Sequence, residues 1–220
     1  MFLKIKNIPD VSWSSNSPLN FKPRLKTFVA LCLGLIIFGF GSSLLFHATI
    51  GNSPWVVLAE GLSIKFNWSI GLSTFICSII VLSMWIPLGQ KPGLGTIMNI
   101  IIIAGILDLS IYQFDFSSNI FFINFLTALL GTITVGVGSG IYLIANLGSG
   151  PRDGLMTGLQ KKYGYTIASV RTSIEVTVVL LGWFLGGTVG IGTLIFAFGI
   201  GPAVAFGLYL IGLTNKKAPL

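Results

Sequence analysis

From Thr27 to Leu213 the chain alternates long apolar stretches with short polar or glycine-rich punctuation. The stretches Thr27 to Leu45, Ile70 to Leu88, Ile97 to Leu107, Ile120 to Ile144, Val176 to Leu185 and Thr193 to Leu213 hold almost no charge. Several approach the roughly 20 residues a helix needs to cross about 30 Å of hydrocarbon. The pattern predicts an all-α polytopic membrane protein with six transmembrane helices. The weakest span is Thr96 to Tyr112, which is short and contains Asp108, so a five-span chain is the competing reading.

Sliding the sequence along itself exposes a repeat: positions 39 to 97 match positions 136 to 194 at an offset of 97, without a gap. Gly39, Gly41 and Ser42 fall on Gly136, Gly138 and Ser139; Gly51 and Pro54 fall on Gly148 and Pro151; Gly93, Gly95 and Thr96 fall on Gly190, Gly192 and Thr193. About seventeen identities occur in roughly sixty positions, where this composition would give about six by chance. Each half reads as a long helix, a Gly-Pro break with a short helix, a second span, a glycine-rich turn and a third span. Three spans per half is odd, so the second half should enter the membrane from the opposite side, the inverted repeat of many secondary transporters. The expected segments are a polar, basic and flexible tail at 1–26, a first three-helix repeat at 27–112, an outer connector at 113–119, a second repeat at 120–213 and a tail at 214–220.

Composition agrees with a bilayer environment: 53% of residues are hydrophobic, 9% are charged, and mean hydropathy is +0.91. The 28 glycines and 9 prolines suit transmembrane helices that approach closely. A net charge of +7 raises the question of nucleic acid, which the positions of the basic residues answer. With six spans and the N-terminus inside, Lys4, Lys6, Lys22, Arg24, Lys26, Lys91, Arg152, Lys161, Lys162, Arg171, Lys216 and Lys217 fall on the inner side. Only Lys65 falls outside, with Glu60 and Asp115. The basic residues are topology signals, no nucleic acid partner is expected, and the location is the bacterial inner membrane with both termini cytoplasmic. Cys32 and Cys77 lie in apolar segments and read as small buried hydrophobes. No cleaved signal peptide is expected.

Two features carry candidate chemistry. The second break runs Gly148-Ser149-Gly150-Pro151-Arg152-Asp153. Proline after glycine starts a helix, and Asp153 in the first turn complements the dipole. The same helix start, held at membrane depth, offers N–H groups to a substrate anion, and cap and site both stay open as readings. The first half repeats the break as Gly51-Asn52-Ser53-Pro54-Trp55. Farther on, Arg171 and Glu175 stand four apart on one helix face and can pair. Arg171 lies about 7 Å and Glu175 about 13 Å from the helix start, so Glu175 approaches the midplane. Ionisable groups at that depth mark a functional site by default, with a helix-to-helix clamp as the alternative. The turns at 88–96 and 185–193 lack the lysine and preceding strand of a phosphate loop. His47, the one histidine, reads as interfacial. No zinc motif, nucleophile elbow or catalytic carboxylate pair can be assembled, so no enzymatic activity and no cofactor are expected.

The chain resembles the YczE/YyaS/YitT group of bacterial integral membrane proteins. The likeness rests on Gly51-Asn52-Ser53-Pro54-Trp55-Val56 against a family Gly-x-x-Pro-Trp-Asp element, on Gly148 to Met156, on Arg171 with Glu175, and on Gly190-Ile191-Gly192-Thr193. It covers most of residues 30 to 205. Val56 departs from the acid common in the family, and the soluble C-terminal domain of the YitT branch is not expected, which makes this the short YczE-like type. The resemblance implies architecture more than activity. The expectation is a small secondary transporter or exporter of an unknown solute, embedded in lipid and allowing a homodimer. Its site would comprise Gly148, Gly150, Pro151, Arg152, Asp153, Arg171 and Glu175, with Gly51, Ser53, Pro54 and Trp55 as the repeat equivalents. A non-transporting scaffold for a cytoplasmic partner is the second expectation.

Overall fold

A computed structural model describes residues 8–214, with side chains to Gly212. Lys4, Lys6, Lys216 and Lys217 lie outside the described residues, as does the expected C-terminal tail beyond Thr214. The described residues form eight α-helices: α1 (Leu25–His47), α2 (Pro54–Phe66), α3 (Ile70–Ser83), α4 (Leu94–Gln113), α5 (Phe121–Ala145), α6 (Pro151–Tyr163), α7 (Ile167–Phe184) and α8 (Ile191–Thr214). The described residues contain no strand. Among the described residues, six helical segments are long and apolar enough to cross a membrane, including α3 with its following turn to Leu88 and the 20-residue α4. The chain is a multi-pass membrane protein.

Helices α2 and α6 are the exceptions, at 13 residues each. Both start on the proline of a Gly-Pro break, which supplies no N–H and fixes φ for the first turn. Both end on a residue in the left-handed conformation, Asn67 and Gly164. Their bounds are 97 positions apart at both ends, and so are the starts of α3 and α7 and of α4 and α8.

Polarity is distributed inside out. Phe184, Phe198 and Ile86 point outward, whereas Ser42, Ser73, Thr132 and Ser139 are buried. Lipid is as apolar as a core, so helix association depends on close contact and on hydroxyls with partners. Ser42, Thr132 and Ser139 donate to the carbonyls of Phe38, Ala128 and Val135, one turn back, at 3.1, 2.9 and 2.8 Å.

Helices α1 and α5 cross at the centre on a glycine seam. The α-carbon of Gly34 faces the backbone of Gly138 and Tyr142, and that of Gly41 faces Gly131 and Val135. Residue numbers rise on α1 as they fall on α5, so the two run antiparallel. Gly34 and Gly131 are repeat equivalents, as are Gly41 and Gly138, so each half presents the same pair to the other. Two backbone contacts exchange in the same way: Gly192 N donates to Ile50 O at 2.8 Å, and Gly95 N donates to Leu147 O at 2.7 Å.

The N-terminal segment departs from the expectation of a flexible tail over residues 8–24. Val11 is fully buried against Ile144 and Leu208, and Ser15 N donates to Ala145 O at 3.1 Å. Asn146, left-handed at the end of α5, donates its side-chain amide to Ser15 O at 2.8 Å. The tail is held because the end of α5 leaves carbonyl and amide groups that it satisfies.

Candidate functional site

The two breaks set the geometry. Gly51 has φ +116° and Gly148 has φ +114°, a region that L side chains rarely adopt. Each also lies too close to its opposite half for a Cβ: Gly51 abuts Gly190 and Thr193, and Gly148 abuts Gly93 and Thr96. Glycine is therefore required twice over, for dihedral and for space. The chain then turns into α2 and α6, whose first turns converge: the Arg152 guanidinium lies 4.9 Å from the centre of the Trp55 ring.

Around this contact lies a cavity of about 320 Å³. Gly150, Pro151, Arg152, Asp153, Arg171, Glu175 and Trp55, seven of the residues singled out in the sequence, line it. Gly148, Gly51, Ser53 and Pro54 do not; they support its walls through the turns just described. The lining is paired by the repeat. Trp55 and Arg152, Thr74 and Arg171, Ser78 and Glu175, Asn99 and Phe196, Ile103 and Ile200, and Phe38 and Val135 are each 97 positions apart and all face the same space. The cavity therefore sits where the two halves meet, with neutral polar groups from the first half and all the charge from the second.

Arg171 Nε donates to Glu175 Oε1 at 2.9 Å, the predicted pair, with Arg171 more exposed than Glu175. Asp153 accepts a 2.6 Å hydrogen bond from the hydroxyl of Tyr142, itself buried on α5. Asn99 lies beside Gly150 at the α6 N-terminus. Sequence reasoning missed Tyr142, Asn99, Thr74 and Ser78. The last two sit at the repeat positions of Arg171 and Glu175 and were legible from that alignment alone. Val56, equivalent to Asp153, is buried.

A fifth missed residue lies outside the cavity lining. Glu60, expected as a plain outer residue, is on α2 and bridges the two halves. Its Oε2 accepts from Asn52 Nδ2 at 2.9 Å and from Thr188 N at 2.8 Å, and its Oε1 accepts from Thr188 Oγ1 at 2.7 Å. Close glycine packing extends the contact, with Gly61 against Gly182 and Gly187 against Val57. The repeat equivalents of Glu60 and Thr188 are Thr157 and Lys91, and Thr157 bonds back to its own helix at Asp153 O. Beside the start of α6, Trp85 lies over Gly154 and donates its indole N–H to Pro151 O at 2.9 Å. The clamp is one-sided.

His47 is away from the cavity, buried at the end of α1, with Nδ1 3.7 Å from Asp115 and its ring edge-on to Phe116. Asp115 is in the connector after α4. The hydroxyl and backbone N–H of Ser117 hold its carboxyl below the usual value, and His47 adds to the effect.

Comparison with known sequences agrees with this architecture. The profile described as "Family of unknown function (DUF6198)" matches residues 25–208. The chain belongs to this family. It is 39% identical over 208 residues to an uncharacterized protein of Haemophilus influenzae, covering 94% of each chain. It is 30% identical over 177 residues to the uncharacterized membrane protein YczE of Bacillus subtilis, covering 80% of this chain and 82% of that one. It is 28% identical over 167 residues to the uncharacterized protein YyaS of the same organism, covering 74% and 83%. No solved structure matches the chain. Within the family, the segment from α1 to α8 that builds the cavity falls inside the matched region almost entirely.

Proposed function

We propose that the chain is a small secondary transporter or exporter of the bacterial plasma membrane, a carrier rather than an enzyme, with both termini cytoplasmic and its halves inserted in opposite orientations. The observation that carries this reading is the cavity lined by repeat-equivalent residues from both halves. In carriers built from inverted repeats the substrate lies at the repeat interface, between broken helices whose N-termini face it. The antiparallel seam of α1 and α5 and the converging starts of α2 and α6 supply that arrangement.

The one-sided clamp supports the same reading. Alternating access needs two states in which the halves exchange roles, and Glu60 joins the halves through Thr188 whereas its repeat equivalent Thr157 bonds only its own helix. Parting the halves at Glu60 would break its two hydrogen bonds from Thr188, which sets a barrier that bound solute would have to offset.

The test is counterflow of a panel of radiolabelled small solutes into vesicles reconstituted with the purified chain, alongside Glu175→Gln and protein-free vesicles. Saturable uptake by the native chain that is reduced in Glu175→Gln is expected. No solute moving faster than through protein-free vesicles would remove the carrier reading. It would favour a scaffold docking a cytoplasmic protein through the exposed Lys161 and its neighbourhood.

A further inference from the structure

The charges that line the cavity do not all answer one another. Arg171 and Glu175 form a pair at 2.9 Å and cancel. Asp153 is held by Tyr142, but among the described residues it forms no ion pair with Arg152, its chain neighbour. The Arg152 guanidinium rests on the Trp55 ring, and among the described residues it makes no hydrogen bond, which leaves its planar fork of N–H donors turned to the cavity. Both groups start α6, where Asp153 complements the partial positive charge of that helix end.

A separate observation points to a missing partner. Thr74, on α3, lines the same cavity, is only 5% exposed, and its Oγ1 has no hydrogen-bond partner. Helical threonines of this chain ordinarily bond back one turn, as Thr132 does to Ala128 O at 2.9 Å. A buried hydroxyl without a partner is costly, so a group from outside the chain is the natural acceptor.

Resting on the carrier reading above, we infer that the solute is a zwitterion with an apolar body: an oxyanion bound by Arg152 and Thr74, and an ammonium bound by Asp153. The lining contributes two positive and two negative side chains, so a solute of net charge would leave one charge uncompensated, whereas a dipolar solute leaves none. The walls away from these groups are Phe38, Ile103, Val135, Phe196 and Ile200, which suit an aromatic or branched aliphatic side chain. The volume of about 320 Å³ sets the scale at a single amino-acid-sized molecule rather than a peptide or lipid.

Three probes of nearly equal shape separate the possibilities: phenylalanine, its amide, which lacks the anion, and 3-phenylpropionate, which lacks the cation. Binding to the detergent-purified chain is measured by calorimetry, without any requirement for transport. Phenylalanine is expected to bind about tenfold or more tightly than either analogue, since each lacks one charge-assisted contact. Arg152→Gln is expected to weaken phenylalanine and 3-phenylpropionate by about tenfold and to spare the amide, and Asp153→Asn to do the reverse. Equal binding of phenylalanine and 3-phenylpropionate would replace the zwitterion with a simple anion, and equal binding of the amide would replace it with a cation. Binding of none of the three would also overturn the inference. The wild-type comparison needs no variant to fold. Zwitterion binding without flux would remove the carrier reading alone, whereas flux indifferent to both charges would remove this inference alone.

Discussion

Glu60 shows how a half-buried carboxylate is held between packed helices. An ionised acid without partners there costs several kcal/mol, and this one accepts hydrogen bonds at 2.9, 2.8 and 2.7 Å from Asn52 and Thr188. Glu60→Ala leaves the Thr188 N–H and the Asn52 amide unpaired, and the expected loss is about 1–3 kcal/mol of stability. A lowered thermal midpoint in detergent would register it. An unchanged midpoint would mean that water enters and takes the place of the carboxylate. Glu60→Gln should lose less, because one amide oxygen still accepts. None of this was readable in advance: the two residues joined are 128 positions apart, and a lone glutamate near a lysine looks like a solvated loop charge. Arg171 and Glu175 were readable because their partnership is local, four residues along one helix.

At the level of elements, glycine placement does most of the specifying. The Gly-Pro breaks were legible because proline starts a helix and positive φ demands glycine, and both α2 and α6 begin where that chemistry says. The antiparallel crossing of α1 and α5 was not, since small residues mark a close contact without naming the partner. A Cβ on Gly138 would lie 2.6 Å from Gly34 O and from Phe38 N, both backbone atoms that cannot swing aside. Gly138→Val should therefore force the helices apart at a cost of about 1–3 kcal/mol or more. Gly105 has nothing within 4 Å of its Cβ position. Gly105→Val should change the midpoint far less, so equal effects of the two variants would contradict the seam. The N-terminal segment was misjudged for a related reason: its Ser- and Asn-rich stretch looks unstructured until Asn146 and Ala145 are seen to need its backbone.

For the whole molecule the deciding matter is how the two halves sit in the bilayer. The repeat, the antiparallel seam and the exchanged contacts of Gly51 and Gly148 are what the proposed two-fold relation, with equivalent residues facing opposite ends, would produce. Lys65 and Lys162 make the sharpest test, being repeat equivalents, both exposed, near the ends of α2 and α6. Cytoplasmic loops gather lysine and arginine, so Lys65 should be a basic residue on the outer face and Lys162 should be on the inner one. In a background with Cys32→Ala and Cys77→Ala, the variants Lys65→Cys and Lys162→Cys can be treated on intact cells with a membrane-impermeant maleimide. Labelling of Lys65→Cys alone is expected, with Lys162→Cys reacting only once the membrane is opened. If both react from the same side, equivalent helices share an orientation relative to the bilayer. The cavity between them would then face one compartment through both breaks and could not alternate between two.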